Sequence, residues 1–208
     1  MNGTGFPEKL RVRRKTGKQQ RAASARDDAR KIGEFYVIIV CSLQDMPRVA
    51  ADHGATHVVS LVQQPELPDT PSGLSTDRHL KIAVDDITEP CDGKVLPCAD
   101  HISEFIAFVA GWKQEDGPIV LHCHAGVSRS MAAALILLSL TRPRHEVEAA
   151  RWLRRHAAHA NPNRLIVSLA DRRLNREGRL RDAIESMGPA RPVFDRAPVT
   201  RIPLVTET

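Results

Sequence analysis

The 208-residue chain is 42% hydrophobic and carries a formal net charge of +5, enough length and apolar content to bury one full core. Its longest apolar run, Met131 to Leu140 with only Ser139 interrupting, is about half of what a bilayer core demands, so it reads as a buried helix and not as a membrane span. Four cysteines, Cys41, Cys91, Cys98 and Cys123, have neither zinc-site spacing nor the density of a secreted disulfide scaffold. With no apolar signal segment at the N-terminus, the expectation is a cytoplasmic protein with free thiols and no metal.

Residues 1–33 hold ten Lys or Arg against three acidic residues. Such a basic leader, poor in apolar side chains, cannot offset the entropy of ordering itself. It is expected to be a solvated tail or to contact an acidic partner, nucleic acid or an anionic membrane. It also resembles a transit peptide in being Arg-rich and acid-poor, but lacks much of a hydrophobic face.

The folded domain is expected over residues 34–187. Phe35 to Cys41 is a strand rich in β-branched and aromatic residues. A short helix around Asp45 to Asp52 follows, then a strand at Thr56 to Val62, a polar stretch from Gln63 to Thr76, and a strand at Leu80 to Val84 that ends in the paired acids Asp85 and Asp86. A helix from about Cys98 to Trp112, with Ile102, Phe105, Ile106 and Val109 on one side, leads to the strand ending Ile119-Val120-Leu121. This alternation predicts an α/β fold, a mostly parallel central sheet flanked by helices, with the site at the C-terminal strand ends.

That last strand delivers His122-Cys123-His124-Ala125-Gly126-Val127-Ser128-Arg129-Ser130 to a helix beginning near Ser128. Helix N-termini present unpaired N–H groups and partial positive charge, and so bind anions. Gly126 permits the turn that brings the N–H groups of residues 124 to 129 inward. A thiol held in such a cup is pushed toward its thiolate, which makes Cys123 a candidate nucleophile. Arg129 is a planar, bidentate clamp for phosphate oxygens.

The order His, Cys, five residues, Arg, Ser resembles the active-site loop of the cysteine-dependent protein tyrosine and dual-specificity phosphatases. That resemblance implies a phosphatase-like fold, attack of Cys123 on phosphorus, phosphate binding by His124, Ala125, Gly126, Val127, Ser128 and Arg129, and a Ser130 hydroxyl that hydrogen-bonds the sulfur and helps it leave. It implies no cofactor and a phosphorylated protein as substrate, with phosphotyrosine or also phosphoserine and phosphothreonine. The leaving oxygen needs an acid. Asp86 is the first candidate and Asp85 the second, against the alternative that paired aspartates at a strand end are solvated turn formers. His122 is expected to support the loop and His124 to lie on its outer side, where it touches substrate or is merely exposed.

Downstream, Pro143 is expected in the first turn of a helix through His156 with Val147, Ala150, Leu153 and Ala157 on one face. Asn161-Pro162-Asn163 breaks the chain and caps a helix containing Leu165, Ile166 and Leu169, a feature also similar to the dual-specificity branch. A last short helix ends before Gly188, and the prolines of residues 188–208 predict an extended tail.

Other chemistries fit this loop less well. Metal ligation by His122-Cys123-His124 lacks a second ligand cluster. A rhodanese-like sulfurtransferase uses a cysteine in an anion cradle but needs no upstream acid. Low-molecular-weight phosphatases carry the loop before the acid, the reverse of the order here, and a phosphoinositide phosphatase would be expected to place lysines inside the loop. A phosphate-binding pseudophosphatase would not need Cys123, Arg129, Ser130 and an acid together. A protective disulfide from Cys123 to Cys91 or Cys98 is a further redox expectation, the alternative being that the other three cysteines are plain packing or surface residues.

Overall fold

Four parallel strands and one antiparallel edge strand form the central sheet of the computed structural model, which describes residues 36–113 and 116–204. The strands are β1 (Tyr36–Ser42), β2 (His57–Val62), β3 (His79–Ala83), β4 (Ile119–Cys123) and β5 (Thr200–Pro203), in spatial order β3-β2-β4-β1-β5. Helices are α1 (Met46–His53), α2 (Ala99–Ala110), α3 (Arg129–Thr141), α4 (Glu146–His156), α5 (Arg164–Arg173) and α6 (Arg179–Glu185). The α/β architecture expected from the alternation of strands and helices is the one observed. The basic leader lies outside the described residues.

Side-chain alternation along each strand sorts the core into two layers. Ile38 and Val40 of β1, with Ile119, Leu121 and Cys123 of β4, face the large layer built on α2 to α6. Ile39, Cys41 and Val120 face a smaller layer closed by Met46, Val49 and Ala50 of α1. Strands covered on both faces read as continuous apolar runs, and all six residues of β2 are buried.

Helix α3 runs through the middle of the large layer. Residues 129 to 139 of it are all buried, so its Ala, Leu and Met content serves both helix propensity and packing on every side. Its N-terminus, directly after β4, is where the sheet hands the chain to the site.

Two expectations about the C-terminal half are corrected. Pro143 is not in the first turn of α4: the helix starts at Glu146, and Arg144 before it takes φ +71°. Glu146 sets that start, because its buried carboxylate meets Arg176 Nε at 3.3 Å and Arg179 Nε at 3.4 Å. The expected face of α4 is nonetheless the one packed, with Ala150 and Leu153 fully buried. The boundary at residue 187 is also too early. Residues 200–203, expected to be part of an extended tail, form β5 and pair antiparallel with β1, Ile202 opposite Ile38. An extended backbone next to an open edge gains ladder hydrogen bonds, and Ile202 is fully buried there.

Candidate active site

The turn from β4 into α3 wraps around Cys123, whose side chain is buried with its Sγ 3.1 Å from Ser130 Oγ. The shape of this turn comes from where its carbonyls go. Leu43 N–H donates to the His124 carbonyl (3.1 Å), Ala197 N–H to that of Ala125 (2.8 Å) and Asn161 N–H to that of Val127 (2.9 Å); the Ser128 carbonyl accepts from Ala132 N–H (2.9 Å) and Asn163 N–H (3.4 Å). In a trans peptide the C=O and N–H point in opposite directions. Carbonyls held outward therefore aim the following N–H groups toward the inside of the turn.

Gly126 is required at the bend. Its φ is +75°, and a Cβ there would stand 2.9 Å from the Cys41 carbonyl carbon and 3.0 Å from its oxygen. The loop thus rests directly on the end of β1. Cys41 itself is no competing nucleophile, because burial, reinforced by Asp45, pushes its thiol well above the ordinary range.

Arg129, the first residue of α3, is 6% exposed. One guanidinium NH2 group donates to the Val84 carbonyl at 2.7 Å, which fixes the plane of the fork. Its Nε is buried without a hydrogen-bond acceptor among the described residues and lies 3.8 Å from Asp86 Oδ2. A buried guanidinium with a donor beside a cleft can hold an anion there.

The two aspartates after β3 separate cleanly. Asp85 turns into its own loop, accepting Val95 N–H at 2.8 Å and standing 3.2 Å from Lys94 Nζ. The Val95 hydrogen bond, with help from Lys94 and Arg129, holds its carboxyl below the usual range. Asp86 leans over the phosphate loop: its Oδ1 accepts from Ser128 Oγ at 2.7 Å and from Asn163 Nδ2 at 2.8 Å. Cys123, Arg129 and both aspartates border a cleft of about 420 Å³, whose rims include Glu66 and Lys94; of the two acids, Asp86 is the one tied to the phosphate loop through Ser128. A second groove of about 480 Å³ lies across Asp86 and Ser128 and does not reach the sulfur.

His122 and His124 part in the same way. His122, fully buried, shares the Ser60 hydroxyl with His79: Ser60 Oγ is 2.6 Å from His122 Nε2 and 2.7 Å from His79 Nε2. Thr70 Oγ1 ends the chain at 3.0 Å from His79 Nδ1. Burial holds both rings neutral, His122 down to about 3 and His79 to about 4. His124 is on the outer rim, 3.2 Å from the Glu66 carboxylate.

Asn163 has a role that the sequence reading gave only as a cap. Its Oδ1 accepts the N–H groups of Leu165 (3.1 Å) and Ile166 (3.0 Å), the expected capping geometry. Its Nδ2 also reaches Asp86 and, at 3.3 Å, the Ile87 carbonyl. One residue so ties α5 to the acid loop and the phosphate loop. Only its position after a Pro-interrupted break hinted at a special role.

Among the described residues no group of three or more His, Cys, Asp or Glu could hold a metal ion, and no helix is long and apolar enough to cross a membrane. All four cysteines are free thiols, with Cys91 and Cys98 exposed.

The family model of the protein-tyrosine phosphatases matches residues 88–159, a span that holds the whole phosphate loop. No curated protein matches the chain. Among solved structures, human DUSP28 is similar over 65% of this chain and 86% of its own, with 18% identity and a TM-score of 0.51. The human tyrosine phosphatase-like serine/threonine/tyrosine-interacting protein aligns over 62% of this chain and 83% of its own, at 21% identity and TM-score 0.50. A mouse putative dual specificity phosphatase, complexed with zinc tungstate, covers 68% of this chain and 84% of its own, at 15% identity and TM-score 0.51. The sequence match across the loop is to the protein-tyrosine phosphatases, and the fold is similar to that of the dual-specificity phosphatases.

Proposed function

We propose that the chain is a phosphomonoester hydrolase that works without metal through a cysteinyl-phosphate intermediate, with phosphotyrosine, and also phosphoserine or phosphothreonine, in proteins as substrate. The observation that carries this reading is that Cys123, Arg129 and Asp86 line one cleft, with Ser130 Oγ 3.1 Å from the sulfur and the loop carbonyls held outward.

In the first step Cys123 attacks phosphorus in line, and the phosphorus–oxygen bond of the ester breaks as Asp86 gives its proton to the leaving oxygen. Two donors already occupy Asp86 Oδ1, so the transferable proton belongs on Oδ2. Negative charge on the equatorial oxygens is held by Arg129 and the loop N–H groups. In the second step Asp86, now ionised, takes a proton from water as that water attacks the cysteinyl phosphate. The departing sulfur is stabilised by the Ser130 hydroxyl at 3.1 Å. His122, Ser60 and His79 act through the loop by filling the space beneath it with a neutral hydrogen-bonded chain.

Turnover of p-nitrophenyl phosphate in EDTA tests the assignment. Cys123→Ser is expected to lower kcat/KM by more than ~10³-fold, as loss of a covalent nucleophile does, while still binding inorganic phosphate. Undiminished turnover by that variant would sink the nucleophile. Phosphate binding by the wild-type chain with no turnover of any phosphoester would assign it instead as a phosphate-binding module.

A further inference from the structure

The C-terminal segment does more than close the sheet edge. From Arg191, whose N–H donates to the Ala158 carbonyl at 2.9 Å, the chain passes behind the phosphate loop before entering β5. At Ala197, 2% exposed, it donates its N–H to the Ala125 carbonyl at 2.8 Å. Arg196 beside it hydrogen-bonds Gln44 and stands 3.7 Å from Asp45 Oδ2. Asp45 in turn accepts the Ser42 hydroxyl at 2.8 Å, and the next residue, Leu43, supplies the N–H that holds the His124 carbonyl. On the far side the segment is pinned by β5 against β1 and by Trp152 Nε1 donating to the Pro203 carbonyl at 2.8 Å.

We infer that this segment is a strap that orients the phosphate-binding peptides, with Ala197 as a positioning residue. The peptide joining Ala125 to Gly126 carries the Ala125 carbonyl at one end and the Gly126 N–H at the other, and these point in opposite directions. Gly126 leaves this peptide free to rotate, because glycine tolerates both signs of φ. The Ala197 N–H removes that freedom and keeps the Gly126 N–H facing the sulfur. Through Arg196 and Asp45 the same strap braces the β1–α1 turn, whose Leu43 N–H fixes the preceding peptide and so the Ala125 N–H. Two consecutive anion donors of the loop are therefore aimed by a stretch more than sixty residues away in sequence, which touches no substrate. This inference rests on the phosphatase reading above, since it assigns the strap to that same loop.

The full-length chain carrying Ala197→Pro, which removes the N–H, tests the strap by the competitive inhibition constant of inorganic phosphate, kcat/KM for p-nitrophenyl phosphate and the thermal midpoint. Phosphate affinity and kcat/KM are expected to fall together by about tenfold or more, the lower part of the range seen when one oxyanion donor is lost. Ala197→Gly, which keeps the N–H, is expected to restore both. A folded Ala197→Pro chain that binds phosphate within twofold of wild type would overturn the inference and leave the phosphatase reading standing. A wild-type chain that neither binds phosphate nor turns over ester would overturn both.

Hydrogen exchange on the unmutated protein decides the matter if Ala197→Pro does not fold. Saturating phosphate is expected to slow exchange in the peptide containing Ala197 as well as in residues 124–129. Protection confined to residues 124–129 would count against the strap.

Discussion

The phosphate loop and the acid loop, partners in the proposed reaction, are held in different ways. In the first, backbone hydrogen bonds and one glycine define the shape, and the chemistry-bearing residues are contiguous from His122 to Ser130. In the second, two adjacent aspartates with the same chemistry are sorted by their partners: the Val95 backbone N–H and Lys94, in the same loop, claim Asp85, whereas the distant side chains of Ser128 and Asn163 claim Asp86. A backbone-built site breaks all at once; a site held by side chains is expected to fail in graded steps.

The largest loss is therefore expected in the phosphate loop. Gly126→Ala would force a Cβ to 2.9 Å from the Cys41 backbone at φ +75°, and neither backbone can yield without moving β1. A cost of about 2–4 kcal/mol is expected from the strained dihedral and the overlap together, read as a drop in thermal midpoint with near-complete loss of turnover. An active, equally stable Gly126→Ala chain would show the loop to be softer than its hydrogen bonds imply.

Next in size is the comparison of the two aspartates. Asp86→Asn is expected to lower kcat about 10²-fold on an alkyl phosphate, and less on p-nitrophenyl phosphate, whose leaving group needs little protonation. Asp85→Asn is expected to cost mainly stability, because it loosens the Val95 turn. Measuring both variants on a poor leaving group decides between them, and the reverse order of damage would exchange their roles.

Asn163 allows a finer cut. Asn163→Ala removes both functions, with about 1 kcal/mol of stability lost with the cap and roughly tenfold in kcat expected from the loosened acid. Asn163→Asp keeps an equally good cap but loses the Nδ2 donor and sets a carboxylate against Asp86. Stability is expected to return while kcat does not. If both recover, the contact with Asp86 is dispensable.

A separate test is the pH dependence of stability beneath the loop. His79 and His122 are held neutral in the folded protein, at about 4 and about 3, whereas in the unfolded chain they titrate near ~6.5. Between those values the unfolded state binds more protons, so folding stability is complete above pH ~6.5 and falls as the pH drops toward 4. Denaturant midpoints measured across this range should decline. His79→Gln, which keeps a polar partner for Ser60 without a titrating ring, should flatten the decline, and an unchanged slope would place the pH sensitivity elsewhere.

What could be read from the sequence depended on how local the governing physics is. The order and type of β1 to β4, the buried character of α3 and the cap at Asn163 follow from patterns of a few residues, and so did the cysteine, arginine and serine of the phosphate loop. Pro143 misled because a buried carboxylate, Glu146, overrode a weak positional preference with two arginines, one from the turn after α5 and one from α6. Strand β5 carries Pro203 and only four residues, too short a pattern to register, and its stability comes from an edge supplied by β1.

By itself, then, the sequence determined the chemistry: a thiol, a guanidinium and a hydroxyl at a spacing that one tight turn can gather, with carboxyls upstream. Tertiary structure alone decided which carboxyl is tied to the phosphate loop, which side chains hold it there, and that the C-terminal segment returns to grip the Ala125 carbonyl. The reason is range. Backbone turns and helix ends are set by neighbouring residues, whereas a contact across seventy residues exists only when independent elements pack, and no short pattern encodes the distance between them.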